Sequence, residues 1–514
     1  MNPAGIVVAR WSLRALCLAM WAALVRLAVA CLQSDLSWRY VAEHSRRDAP
    51  ALYRVAAVWG GSEGSLLLFL AILSAVAVVA CWQADSYWSL GAALGTIGSL
   101  AVVVFTIANP FQRLPFPAVS GVGLNPILEH PAMAVHPPIL YLGLACTFGA
   151  VLVSIDGKAR TASTTPIMWL KVAASLVMVA MLLGAAWSYL EQGWGGYWAW
   201  DPVENTSLLV WLLCLLAIHG AARTLPGRWA QTGVALFAAP WIATLFSAAF
   251  VRSGSTSSVH GFAEQRSVGL ALLGIGIVTL LSVFVARHWL AVEQPNWVLD
   301  TAPQNRAVFI HLVLNATATA VVLVGTLTPL IVGIFGGSDV AVRGFYFSRI
   351  IAPLALAAVP FIVVQLRAQP GRVAHLGFLL LLVGIAASTF DRTEAIGIRS
   401  GQQVEAAGMT VIGGPVTVRP GPRIDVQAVE VQIVVAGKSL RPSLVAYPDR
   451  GGVLAETAFA PGLWRDIQVT LTDATDANES LVIVRQRPLM WMLWLGGLIV
   501  AVGTIIPSRR QQHH

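Results

Sequence analysis

Apolar runs of about the length a helix needs to cross hydrocarbon, roughly 20 residues, recur along the first 390 positions and once more near the end of the chain. They fall near 11–32, 64–82, 88–108, 137–155, 167–189, 205–222, 229–251, 267–286, 307–330, 350–366, 373–390 and 488–506. The pattern predicts an all-α polytopic membrane bundle of about twelve transmembrane helices. The period changes only between the last two runs. From Asp391 to Arg487 apolar and polar residues alternate, as in Val429-Glu430-Val431-Gln432-Ile433 and Ile467-Gln468-Val469-Thr470-Leu471-Thr472. A period of two belongs to half-buried strands, and Gly413-Gly414-Pro415 and Pro420-Gly421-Pro422 read as turns between them. The chain is thus read as a helical bundle over 1–390, a small outer β domain over 391–487, and a last helix with its tail over 488–514.

Composition agrees: 57% of the 514 residues are hydrophobic and only 11% charged, which excludes a single soluble core. Basic residues orient the bundle, because Lys and Arg near helix ends tend to stay cytoplasmic. Lys158, Arg160, Arg223, Arg228, Arg287, Arg306, Arg367, Arg372, Arg509 and Arg510 share one side, giving an N-in/C-in topology with the β domain outside. The net charge of +8 follows from that topology, and no basic run resembles a nucleic-acid site. Arg46, Arg47 and Arg54 depart from the rule, in an outer loop that also holds Glu43 and Asp48. The five cysteines lie inside apolar runs without a C-x-x-C pair, which argues against a disulfide framework or a zinc site. Ala28-Val29-Ala30 at the end of the first run resembles a signal-peptidase site, although the run is long and carries Arg26.

Between two spans lies an aromatic stretch, Trp194 to Glu204, reading WGGYWAWDPVE, within a tryptophan-rich segment 187–206. Trp and Tyr favour membrane interfaces, and so dense a cluster also offers a flat surface to a planar ligand. Histidines flank it on the outer side. His136 stands before Pro137-Pro138, where proline suits a helix start, and His260 stands in the loop VRSGSTSSVHGFAEQR. Two neutral imidazoles can fill both axial positions of a haem iron. His219 lies 15 residues past Glu204, roughly 22 Å down a helix, and His375 begins the eleventh span from the other side. These two reach similar depth, and an ionisable side chain inside a membrane is a functional candidate. By depth alone His311 competes with His219 or His375, and His130 competes with His136. Paired mid-membrane charges and a repeat of broken helices, which would point to a transporter, are not seen.

At these residues the chain resembles the CcmF/NrfE family of bacterial cytochrome c maturation, within the WWD-domain haem-handling proteins. The resemblance runs through YRVAAVWGGSEGSLLL from Tyr53, NPILEHPAMAVHPPILYLG from Asn125 and WGGYWAWDPVENTSLLVWL from Trp194. It continues in FVRSGSTSSVHGFA from Phe250, LVGTLTPL from Leu323 and AHLGFLLLLVGIA from Ala374. It implies a haem lyase of the bacterial inner membrane with its active face in the periplasm. In such a protein haem arrives from a periplasmic chaperone, CcmE, and rests on the WWD segment between His136 and His260. A permanently bound b haem takes His219 and His375, which sets His130 and His311 aside, and quinol is the implied electron source.

The resemblance further implies a thiol-handling, apocytochrome-binding partner, CcmH/CcmI, and apocytochrome c as substrate. Trp194, Tyr197, Trp198 and Trp200 pack on the porphyrin. Asp201 and Glu204 complete the candidate catalytic set, more as carboxylates shaping the turn and helix start than as acid or base. Two features depart from the usual family pattern: one span before the first outer loop instead of two, and a direct passage from span ten to His375. The alternatives are a haem-loading or export protein and a quinol-linked electron-transfer subunit.

Overall fold

The computed structural model describes residues 3–82, 84, 86–156, 164–191, 193–221, 229–254, 265–289, 303–335, 342–366, 371–421, 426–447, 452–476 and 479–506. Helices occupy all twelve apolar runs. They are α1 (Pro3–Gln33), α4 (Ser62–Ala80), α5 (Tyr87–Thr106), α6 (Pro131–Ile155), α7 (Thr164–Glu191), α8 (Pro202–Ala221), α9 (Trp229–Arg252), α10 (Arg266–Trp289), α11 (Pro303–Ile334), α12 (Gly344–Leu366), α13 (Arg372–Ser388) and α14 (Met490–Ile505). Backbone N–H and C=O groups find no water in hydrocarbon, so an apolar run there closes its hydrogen bonds on itself. Among the described residues ten helices are long and apolar enough to span a membrane, whereas α13 and α14 have 17 and 16 residues. At about 1.5 Å per residue these two reach only ~24–26 Å, short of a ~30 Å hydrocarbon core.

The loop after α1 is folded rather than merely polar. It holds α2 (Arg39–His44) and α3 (Ala51–Ala56). The buried Tyr40 hydroxyl donates toward the Ala57 and Val58 carbonyls and accepts from Gly61 N. Two of the three arginines that break the charge rule are spent locally. Arg46 is buried and pairs with Asp48 and, at 3.2 Å, with Glu129, and Arg54 donates to the Leu32 carbonyl. Ala28-Val29-Ala30 lies within α1, with Ala30 buried.

The chain divides into two compact units. One comprises 1–181, 199–375 and 501–514; the other comprises 182–198 and 376–500. The second therefore exceeds the 391–487 segment read from periodicity. It contains ten strands: β1 (Arg392–Arg399), β2 (Gln403–Ala406), β3 (Met409–Pro420), β4 (Gln427–Val435), β5 (Lys438–Leu440), β6 (Ser443–Tyr447), β7 (Gly452–Glu456), β8 (Ala458–Ala460), β9 (Arg465–Asp476) and β10 (Glu479–Pro488). One sheet runs β1-β10-β9-β8 and the other β2-β3-β4-β6-β7, with β5 on β4. Their inner faces share a core that includes Val411, Val431, Ile433, Val469, Leu471, Val482 and Val484.

The expected turn at Gly413-Gly414-Pro415 is instead a bulge inside β3, where pairing with β4 shifts between Gly413 and Val416. Pro415 has no N–H for the ladder, so the strand takes up the irregularity and continues.

Within this unit α13 and α14 meet through glycines. A Cβ added at Gly384 would strike the Leu493 backbone nitrogen, and one at Gly377 would lie 2.6 Å from the Val500 nitrogen. Small residues let helix backbones approach where hydrocarbon supplies no hydrophobic drive between helices. Overpacking a close contact costs about 1–3 kcal/mol. Gly384→Val should accordingly lower the apparent melting midpoint of the detergent-purified protein, while Gly91→Val, whose Cβ meets nothing within 4 Å, should leave it unchanged.

Candidate functional site

In the first unit three helices bring imidazoles together. His219 near the end of α8, His311 in α11 and His375 at the start of α13 offer ligand atoms that all lie within 4.8 Å of one another. Depth leaves His311 level with His219 and His375, the family resemblance sets it aside, and the structure places all three in one cluster. Their hydrogen bonds differ. His219 Nδ1 lies 2.8 Å from the Leu215 carbonyl, which can only accept, so that nitrogen carries the proton and Nε2 keeps a lone pair. The Gln365 amide nitrogen lies 3.1 Å from His311 Nδ1. With the amide donating, the His311 proton sits on Nε2. Nδ1 of His375 is buried and has no hydrogen-bond partner among the described residues.

An iron between two axial imidazoles, with Fe–N near 2 Å, sets the ligand nitrogens about 4 Å and the ring centres about 6 Å apart. The His219–His375 and His311–His375 ring centres are 6.1 and 6.4 Å apart, and His219–His311 only 4.9 Å. The donor set fits a bis-histidine iron that uses His375 together with one of the other two, and the tautomers favour His219. His311 is the residue that sequence reasoning underrated. Its signal was there, a histidine nine residues into an apolar helix at matching depth.

On the candidate outer side, α6 begins at Pro131 and not at Pro137, so His136 lies inside the helix with Pro137 and Pro138. The reason is the cap: His130 holds an extended backbone and its Nδ1 accepts from Ala132 N, with Pro131 filling the first turn. That capping bond uses His130, and burial holds its pKa below the ordinary imidazole value. His136 is half-buried, with Nδ1 2.7 Å from the Ala180 carbonyl, which leaves Nε2 as the nitrogen with a lone pair. His260 lies outside the described residues.

The aromatic segment is not one free surface. Trp200 adopts a left-handed backbone at φ 58°, stacks on Phe347 at 4.9 Å and donates from Nε1 to Ser348. Tyr197 packs with Tyr189, Met490 and Leu493, and its hydroxyl meets that of Ser388 at 3.1 Å. Trp198 is half-buried and Trp194 is exposed. Asp201 and Glu204 form a cap at the start of α8, the shaping role that the sequence favours for them. Asp201 Oδ1 accepts from Val203 N, and Glu204 Oε2 accepts from the N–H groups of Ala199 and Asp201. This reciprocal capping box satisfies N–H groups at the first turn of α8.

A second set of residues escaped the sequence reading. Alternation alone reads β9 and β10 as half-buried strands. In the structure Asp466, Gln468, Thr470, Arg485 and Arg487 are all buried. Gln468 Nε2 donates to the Tyr189 carbonyl at 2.8 Å, and Thr470 donates to the Gly193 carbonyl. The β sheet thus carries the turn of the aromatic segment on its polar face. The available signal was Val-Ile-Val-Arg-Gln-Arg, in which two arginines occupy alternate positions of an otherwise apolar strand.

Comparison with known proteins places these features. Residues 59–256 match the family model described as "Cytochrome C assembly protein". The chain is 34% identical to the probable cytochrome c-type biogenesis protein NrfE of Escherichia coli, over 74% of this chain and 72% of that one. It is 26% identical to the cytochrome c-type biogenesis protein CcmF of Pseudomonas aeruginosa, over 92% and 87%. Among solved structures, a cytochrome c heme lyase CcmF superposes with a TM-score of 0.75 at 21% identity, covering 98% of this chain and 92% of that one.

The cluster geometry generates a prediction. His219→Ala and His375→Ala should each abolish a low-spin bis-histidine haem signal in reduced-minus-oxidised spectra of the purified protein, and His311→Ala should retain it. Loss with His311→Ala and retention with His219→Ala would assign the second ligand to His311.

Proposed function

This chain belongs to the CcmF/NrfE family of cytochrome c biogenesis proteins, and from that premise we propose that it is the haem lyase component of cytochrome c maturation in a bacterial inner membrane. The observation that carries this reading is the convergence of His219, His311 and His375 inside an apolar helical unit. Nothing in the packing of a membrane bundle requires three adjacent imidazoles, and a bound iron gives them a purpose.

The reaction joins two cysteine thiols of a C-x-x-C-H segment to the two vinyl groups of haem. Each S–H adds across one C=C, so that sulfur bonds to one carbon and hydrogen to the other, with no net oxidation. The chain has five cysteines, and all lie in helices or, for Cys81, at a helix end. The thiols therefore come from the apocytochrome. The work left to this protein is positioning, and fixing two reactants in register supplies most of the rate such a site can give.

In this reading the substrate haem, handed over by a periplasmic chaperone of the CcmE type, rests on the aromatic segment with His136 and His260 toward its iron. The Ala180 carbonyl fixes the His136 ring and keeps the proton off the ligating nitrogen. Trp194 and Trp198 offer ring surface, and the capping box of Asp201 and Glu204 holds the entry to α8. A b-type haem on His219 and His375 would supply single electrons, drawn from quinol, that keep the substrate iron ferrous. A CcmH/CcmI-type subunit presents the reduced apocytochrome.

The experiment is cytochrome c production in a host lacking its own lyase, read together with the haem content of the purified protein. His136→Ala should lower covalent cytochrome c by at least about tenfold and leave the b-haem band intact. Wild-type b haem with full cytochrome output in His136→Ala would rule out the outer histidine, and a host that matures cytochrome c equally well without this chain would return it to plain electron transfer.

A further inference from the structure

Antiparallel pairing of β9 and β10 sets Gln468 opposite Arg485 and Asp466 opposite Arg487, on the face away from the apolar core. The two arginines lie two residues apart and share that face, yet their surroundings differ. Arg487 has Asp391 at 3.2 Å and lies over the Tyr189 ring at 5.3 Å. Arg485 is 5% exposed and donates from Nη1 to the Thr470 hydroxyl at 2.8 Å, and it has no carboxylate partner among the described residues. Removing a guanidinium from water without a counter-charge costs several kcal/mol. Burial, reinforced by Arg487, pulls its pKa down to about 10, so the group keeps its charge at neutral pH and bears that cost.

Its position relative to the aromatic segment is specific. Gly195 has φ 74°, and a Cβ built there would lie 2.8 Å from Arg485 Cδ, 2.9 Å from Arg485 Nε and 2.9 Å from Gln468 Oε1. A Cβ on Gly196 would collide with the Trp194 ring. The two glycines thus admit a guanidinium against one and an indole against the next. A flat apolar ring and a planar cation without a carboxylate partner among the described residues pack against two consecutive glycines. That combination suits a planar, apolar ligand with an anionic edge, because guanidinium binds carboxylate through a two-pronged fork.

We propose that Arg485 binds a carboxylate of the planar ligand carried on the Trp194 face, which makes the β domain a wall of the ligand site. The assignment rests on the haem-platform reading, in which that carboxylate is a haem propionate. Gln468 is its positioning residue, tied to the Tyr189 carbonyl and packed beside the Arg485 side chain. The proposal also accounts for the inclusion of residues 182–198 in the compact unit that contains the β strands.

The test is a Soret titration of the full-length detergent-purified protein, already holding its resident haem, with haem and with haem dimethyl ester, whose propionates carry no charge. Wild type should bind haem at least tenfold more tightly than the ester. Arg485→Gln should bind both alike, at the ester level, and Arg485→Lys should restore part of the preference, each with the resident b-haem band intact. An undiminished preference in Arg485→Gln overturns the assignment. So does a wild type that binds haem and ester equally, a result that needs no variant to fold. A wild type that takes up neither ligand beyond its resident haem overturns the platform reading itself, and the assignment with it.

Discussion

Hydrocarbon offers no hydrogen-bond partners, and that single restriction governs most of this molecule. It turns twelve apolar stretches into helices and makes every polar side chain within them a matter of local arrangement. His219 turns one nitrogen to its own helix carbonyl, His311 meets Gln365, and His375 keeps a buried nitrogen without a partner among the described residues. Of the three, His219 has the arrangement a metal ligand needs, with Nδ1 fixed on its own helix carbonyl and the proton kept off Nε2. The same restriction accounts for the buried Arg46 in the first loop, which is matched by two carboxylates where the chain leaves the bundle.

The second organising contact is soluble chemistry. Two strands of an ordinary antiparallel sheet turn their apolar side chains to one core and their polar side chains to the aromatic segment. Gln468, Thr470 and Arg485 meet the carbonyls and glycines of residues 189–195 where the strand pattern alone suggests water. The β domain therefore backs the turn at residues 189–195. Glycine is needed at 195 because the backbone has a positive φ and because the guanidinium occupies the space of a side chain.

Much of this was legible in the sequence. Periodicity alone located the helices and separated the β domain, because spans and strands are each set by a one-dimensional repeat. Depth counting put His219 and His375 at one level, since rise per residue is fixed in a helix. What it could not do was choose among His219, His311 and His375, because choosing requires the rotation of three helices about their own axes. Pro137 misled for a related reason. Proline favours a helix's first turn, yet Pro137 and Pro138 stand inside α6 beyond it, and only the His130 cap reveals that the helix begins at Pro131. Asp201 and Glu204 read as a capping pair from spacing, and the hydrogen bonds give them that role. The buried polar face of β9 and β10 was hidden because alternation says which residues share a face and nothing about what covers it.

The aromatic turn and the strands that hold it are separated by a long stretch of chain. Gln468 bonds to a carbonyl 279 positions earlier, and Thr470 to one 277 positions earlier. A chain made from its N-terminus inserts Trp194 to Trp198 long before β9 and β10 exist. Through all of that synthesis the turn lacks its support, and contacts so distant in sequence form slowly. A truncated or stalled copy, though already threaded through the membrane, would have its aromatic residues without their backing. Support of the turn is thus tied to completion of the strands.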